Sequence, residues 1–228
     1  MLDAARPVGH VRPKRKTRAR FSKVANARDT IRGFGHDMDV AGLTFGQFSL
    51  LDLIEATLEV TGPADVAIST WSAGFYDVET AQKFRDLGKM RSVRFVMDIA
   101  RKRGQADVTD IADLFGPESI RTVRSHAKFA LITNDEWAVL ITSSMNLNLN
   151  PRIEHFEMTD DVERAGIFME FVDALFEELP EGGDVNENGN QRQVTPVLAG
   201  LDAVQPDYGV KVGKVAGLGR ANVGRDAG

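Results

Sequence analysis

The sequence predicts an α/β protein in which a mixed β-sheet carries helices on its faces. Three observations predict it: helix and strand patterns alternate up to about residue 124, three strand-like runs with short breaks follow, and a last helical stripe stops at Pro180. Ser49 caps the first helix, whose apolar residues Leu50, Leu51, Leu53, Ile54 and Leu58 end near Gly62 and Pro63. Residues 65–71 (DVAISTW) form a β-rich run. Asp77 is expected to cap a second helix, with Val78, Ala81, Phe84 and Leu87 recurring every three residues. Val93, Phe95, Met97 and Ile99 alternate as a second strand, residues 108–115 read as a short helix closed by Gly116-Pro117, and residues 120–124 as a third strand. The runs 126–132, 137–144 and 152–158 are strands, the first two joined by the hairpin turn Thr133-Asn134-Asp135-Glu136. Residues 162–179 are a final helix with Ala165, Phe168, Val172, Phe176 and Leu179 on one face. No internal repeat interrupts this order.

The tails differ from this centre. Residues 1–28 hold nine Lys/Arg against one acid, Asp3, a net charge of +8, so the other 200 residues carry −13 of the total −5. This charge-rich stretch lacks a periodic apolar face and reads as a basic, disordered arm. An arm of that charge is either a solvated tail or one that touches phosphate or an acidic partner. The last 48 residues hold 10 of the 21 glycines and read as a flexible tail, because such a composition buries too little apolar surface to offset ordering entropy. The expected organisation is therefore 1–28 arm, 29–180 catalytic domain and 181–228 tail.

Composition narrows the chemistry. The chain has no cysteine, which removes disulfides, thiolate metal sites and a cysteine nucleophile. No stretch approaches the ~18 apolar residues of a membrane span. Charge begins at Asp3 with no apolar core after it, so no signal peptide is read and a cytoplasmic location is expected.

The informative segment is 125–157 (SHAKFALITNDEWAVLITSSMNLNLNPRIEHFE). Side chains at i and i+2 of a strand share a face, so His126 and Lys128 point together, ahead of a run that is apolar on both faces (Phe129, Ala130, Leu131, Ile132). A lysine at the mouth of a covered strand needs an anion or a hydrogen-bond acceptor, which a phosphate supplies. Ser144 and Asn146 follow the next apolar run in the same i, i+2 relation. Imidazole can attack phosphorus, ammonium and amide can stabilise charge on the equatorial oxygens, and the Ser144 hydroxyl adds a donor. Glu154, on the strand after, is placed to hold the imidazole tautomer. Around this set, Trp71 and Ser72 mark either a packed core or the start of a substrate groove. Arg152 reads as a surface arginine, with a phosphate contact as the alternative, and His155, on the face opposite Glu154, as structural or exposed.

His126-Ala-Lys128, then Ser143-Ser144-Met145-Asn146, then Asn150-Pro-Arg-Ile-Glu154 resembles the active-site motif of the phospholipase D superfamily. The likeness is tight over about 30 residues, and the order of elements in 65–180 is similar to the family's domain, a sandwich-like mixed sheet flanked by helices. One position departs: the family often has Asp five residues after the lysine, where this chain has Thr133, with Asp135 two residues later. The resemblance implies a metal-independent phosphodiesterase without cofactors, working through a phosphohistidine, with His126, Lys128, Ser144, Asn146 and Glu154 as its catalytic set and Lys128, Ser144 and Asn146 on the substrate. It implies two copies of the motif. The chain has one, since His10, His36 and His155 have no lysine two residues on, so a homodimer sharing one composite site is expected. Small bacterial endonucleases of the superfamily are similar, and the run 145–157 looks like phage-encoded members. The expected partner is therefore nucleic acid, DNA or RNA. A degenerate binding module of the same fold is the alternative, and a phospholipid hydrolase is a third reading, disfavoured by the absence of an amphipathic membrane face.

Overall fold

The computed structural model describes residues 16–21, 26–98, 108–123, 125–148 and 151–182. The C-terminal tail from 183, and residues 1–15 and 22–25 of the basic arm, lie outside the described residues. The strands are β1 (Lys16–Phe21), β2 (Met38–Thr44), β3 (Ala64–Thr70), β4 (Met90–Met97), β5 (Ile120–Thr122), β6 (Phe129–Thr133), β7 (Ala138–Ser143) and β8 (Glu154–Asp160). The helices are α1 (Ala27–Thr30), α2 (Leu50–Thr61), α3 (Phe75–Asp86), α4 (Val108–Phe115) and α5 (Val162–Glu178). All eight described strands join one sheet in the order β1-β2-β8-β7-β6-β3-β4-β5. Only β6 and β8 run against the other six, so the sheet is mixed, as expected.

Each face of the sheet has its own core, which explains the two-sided apolar runs. Ala130, Ile132, Val139, Ile141 and Phe156 pack with residues of α1–α4, such as Ala27, Leu53, Val78 and Ile111. Phe129, Leu131 and Leu140 turn to the other face and meet Val172 and Leu175 of α5. Fully burying a side chain of this size contributes about 1.5–3 kcal/mol. Ser49 caps α2 in a capping box with Asp52, as its position predicts. The hairpin between β6 and β7 is closed by Asn134, whose Oδ1 accepts from the N–H groups of Glu136 and Trp137, both at 3.0 Å.

Three expectations are corrected. Residues 16–21 of the supposedly disordered arm form a strand: β1 pairs in parallel with β2, so backbone pairing orders a segment whose side-chain pattern gives no strand signal. Asp77 does not cap α3. Gly74 occupies that position with no side-chain cap bond, and the Asp77 carboxylate is hydrogen-bonded by Ser49 of the neighbouring helix head. Strand β6 begins at Phe129, not at His126. In the stretch before it, Ser143 N–H of β7 still donates to the Lys128 carbonyl (3.0 Å), and the rest is held by side chains: Ser125 N–H donates to Asp98 (2.9 Å), Ala127 N–H to Ser125 Oγ (3.2 Å), and Ser69 Oγ to the Ala127 carbonyl (3.0 Å).

Candidate active site

The C-terminal ends of β2, β3, β4 and β7 and the starts of β6 and β8 meet at one end of the sheet, as the pairs Ser69–Phe129, Thr44–Glu154 and Ser143–Phe156 show. Crevices at the carboxyl ends of parallel strands are habitual ligand sites in α/β folds. All five residues of the motif lie at this end.

Lys128 is buried, with 8% of its surface exposed, one residue ahead of β6. Its ammonium donates to the His126 carbonyl at 2.8 Å and stands 3.1 Å and 3.2 Å from the two ring nitrogens of His126. The shared direction expected of the pair is thus present although both residues precede β6. Burial pulls the Lys128 pKa below its ordinary value, and the carboxylates of Glu154 and Asp98 oppose that shift. Asp98 follows β4 and was not foreseen as a site residue. The one available signal was its place at the end of an alternating strand run.

Ser144 follows β7. Its hydroxyl donates to the Glu154 carboxylate and accepts from His155 N–H at 3.0 Å, while its own N–H donates to the His155 carbonyl at 3.1 Å. Here the structure differs from expectation. Glu154 meets Ser144 and not the imidazole, because β8 adjoins β7 and lies one strand further from His126. The Ser144 proton is therefore engaged by Glu154, and the carboxylate reaches the other side of the site through its attraction to Lys128. The His126 ring faces Trp71 instead, with centroids 5.5 Å apart and planes tilted by 55°.

Asn146 is half-buried between buried Met145 and Leu147, and its Oδ1 is buried without a hydrogen-bond partner. The same holds for Oδ1 of Asn148, a residue that spacing did not single out. Leu147 pins this segment to the loop after β3: its N–H meets Ser72 O (3.2 Å) and Thr70 Oγ1 (3.1 Å), and its carbonyl accepts from Gly74 N–H (2.7 Å). A Cβ on Gly74 would stand 2.9 Å from Asp77 Oδ2 and 3.4 Å from Asn148 Cβ, so glycine permits this approach. Burial raises the Asp77 pKa to about 6, with Ser49 opposing and Asp52 adding to the shift.

The remaining candidates lie apart. Arg152 and His155 are exposed. Thr133 sits at the far end of β6, opposite Asp65 and Ala138, and Asp135 is in the exposed hairpin turn, so neither supplies a carboxylate at His126. His36 binds Asp160 at 2.7 Å and stacks on Trp137. A cleft of about 610 Å³ between α1 and α2, lined by Asn26, Asp29, Gln47, Asp52 and Glu55 among others, includes none of the motif residues. No described helix is long and apolar enough to cross a membrane.

No family model and no curated protein matches the sequence. Among solved structures, NucT from Helicobacter pylori is similar with a TM-score of 0.43 at 12% identity, covering 63% of this chain and 99% of that one. Nuc from Salmonella typhimurium, described as a phospholipase D family member, gives 0.41 at 15% identity over 63% and 96%. Polyphosphate kinase from Porphyromonas gingivalis gives 0.45 at 15% identity over 63% of this chain and 26% of the kinase. All three likenesses lie below a TM-score of 0.5 and below 25% identity, and they assign the chain no family, no residue and no reaction.

Proposed function

We propose that the chain is a phosphodiesterase acting on nucleic acid, each protomer supplying one half of a composite homodimer site. The observation that carries this reading is the buried Lys128 ammonium held within 3.2 Å of both ring nitrogens of the exposed His126. Burying an ammonium is costly, so Lys128 is a poor choice for stability and a good one for an anion that arrives later. The charge of the N-terminal segment, with Lys16, Arg18 and Arg20 on β1, suits a polyanionic substrate.

In this mechanism a ring nitrogen of His126 attacks phosphorus and forms an N–P bond as the P–O bond to the leaving oxygen breaks. His126 of a second copy gives that oxygen its proton. Lys128 and the Asn146 amide steady the charge on the non-bridging oxygens. Ser144 and Glu154 together fix the β7–β8 side of the site. The second imidazole then takes a proton from water, whose oxygen displaces the His126 nitrogen and frees the phosphate monoester. No step requires a metal.

The test is cleavage of labelled single- and double-stranded DNA and RNA in excess EDTA, beside His126→Ala, with the oligomeric state measured by light scattering. Cleavage that survives chelation, vanishes in the variant and comes from a dimer supports the proposal. Cleavage retained by His126→Ala refutes the histidine route, and an active monomer refutes the composite site. Binding without cleavage by the wild type identifies a degenerate binding module, and activity confined to lipid micelles identifies a phospholipid hydrolase.

A further inference from the structure

We infer that Trp71 forms a base-stacking subsite beside His126, which selects single-stranded nucleic acid; this rests on the phosphodiesterase reading above. From Val66 to Ala73 every residue is buried except Trp71. That exception is conspicuous because the residues on either side are tied down. Thr70 Oγ1 donates to the Ser72 carbonyl at 2.7 Å across Trp71, and Leu147 N–H anchors the same two residues. The indole is therefore presented by a fixed loop, partly exposed, with its ring 5.5 Å from the imidazole that would attack phosphorus. An aromatic face so close to the reacting phosphate lies within one nucleoside of it. Every nucleobase has a π-face, so stacking of this kind tolerates any sequence. In a duplex both faces of a base are already stacked, and reaching Trp71 would require unstacking and unpairing it. A single strand brings its bases without that cost. Orientation of His126 by the indole is the competing role, and it would act equally on any phosphodiester.

The experiment compares wild type, Trp71→Ala and Trp71→Phe on oligothymidylate and on a base-free oligomer with the same sugar-phosphate backbone. Stacking is worth about 5- to 150-fold per base. The expected result is that Trp71→Ala lowers kcat/KM by that factor on oligothymidylate and leaves the base-free backbone unchanged, with Trp71→Phe in between. An equal loss on both substrates, or no loss on either, overturns the subsite. Tryptophan fluorescence keeps the two proposals separable should the wild type cleave neither oligomer. The chain has two tryptophans, and Trp137 lies at the opposite end of β7, stacked on His36. Quenching by oligothymidylate but not by the base-free oligomer, absent in Trp71→Phe, upholds the subsite even if the nuclease chemistry fails. No base-dependent quenching overturns it.

Discussion

The two ends of the β6–β7 hairpin are each governed by an asparagine, and the two are treated oppositely. At the turn, Asn134 spends its polar groups: its Oδ1 accepts two backbone N–H bonds, its Nδ2 donates to the Thr61 and Pro63 carbonyls at 3.0 and 3.3 Å, and its own N–H reaches Trp137 O. At the other end, Asn146 keeps a buried Oδ1 without a partner, and burial disfavours the charge of Lys128. The same strands and the same core lie between them. One end is built for stability and the other holds polar groups in reserve, which is where a ligand's contribution would be felt.

The largest effect expected from breaking this contrast is Lys128→Met. Cleavage should fall about 100- to 1000-fold while the thermal midpoint holds or rises, since the folded state no longer buries an ammonium. A lowered midpoint with cleavage intact would instead make Lys128 a stabilising residue.

Next comes Asp77, the second poorly housed charge at the site end. Its folded pKa is raised from 3.8 to about 6, so it contributes stability below the unfolded value that is lost as pH rises through about 6. Asp77→Asn should therefore be more stable than wild type above pH 7, by up to about 3 kcal/mol, and the advantage should vanish near pH 4. Denaturant midpoints across pH read this directly, and a pH-independent difference would refute it.

At the turn, Asn134→Ala should cost about 2–3 kcal/mol of stability for its four lost side-chain hydrogen bonds while leaving specific activity per folded molecule unchanged. The smallest effect belongs to Ser144→Ala, which frees the Glu154 carboxylate and should lower kcat about tenfold with little change in midpoint. Equal effects of Asn134→Ala and Ser144→Ala on activity would erase the distinction between the two ends.

What could be read from the sequence follows the same division. Lys128, Ser144, Asn146 and Glu154 were legible because they flank apolar runs at fixed spacing, and those runs turned out to be the covered central strands. The partners of these residues were not. Asp98 meets Ser125, 27 residues away, only because β5 crosses over beside β4, a matter of topology that no local period records. Spacing alone pairs Glu154 with the imidazole, because strand order leaves no local trace in the sequence; with β8 outside β7, Ser144 is the nearer group. Strand β1 was missed because KTRARF has the composition of a solvated arm, and its pairing with β2 is a backbone matter. The Ser49 cap of α2, by contrast, is purely local and follows from the sequence, while the reciprocal bond from Asp52 is added by the structure.

The latch between Leu147 and Thr70 has a consequence for how the protein becomes active. It joins residues 77 apart in the chain, and it is what brings the Asn146 segment against the loop bearing Trp71. Contacts of that span close only after both strands they connect have found their places, because loop-closure entropy must be met before the contact stabilises anything. Folding intermediates with native-like secondary structure would thus lack a finished site. In refolding, cleavage should return later than far-ultraviolet dichroism, which makes activity a reporter of the last step of assembly.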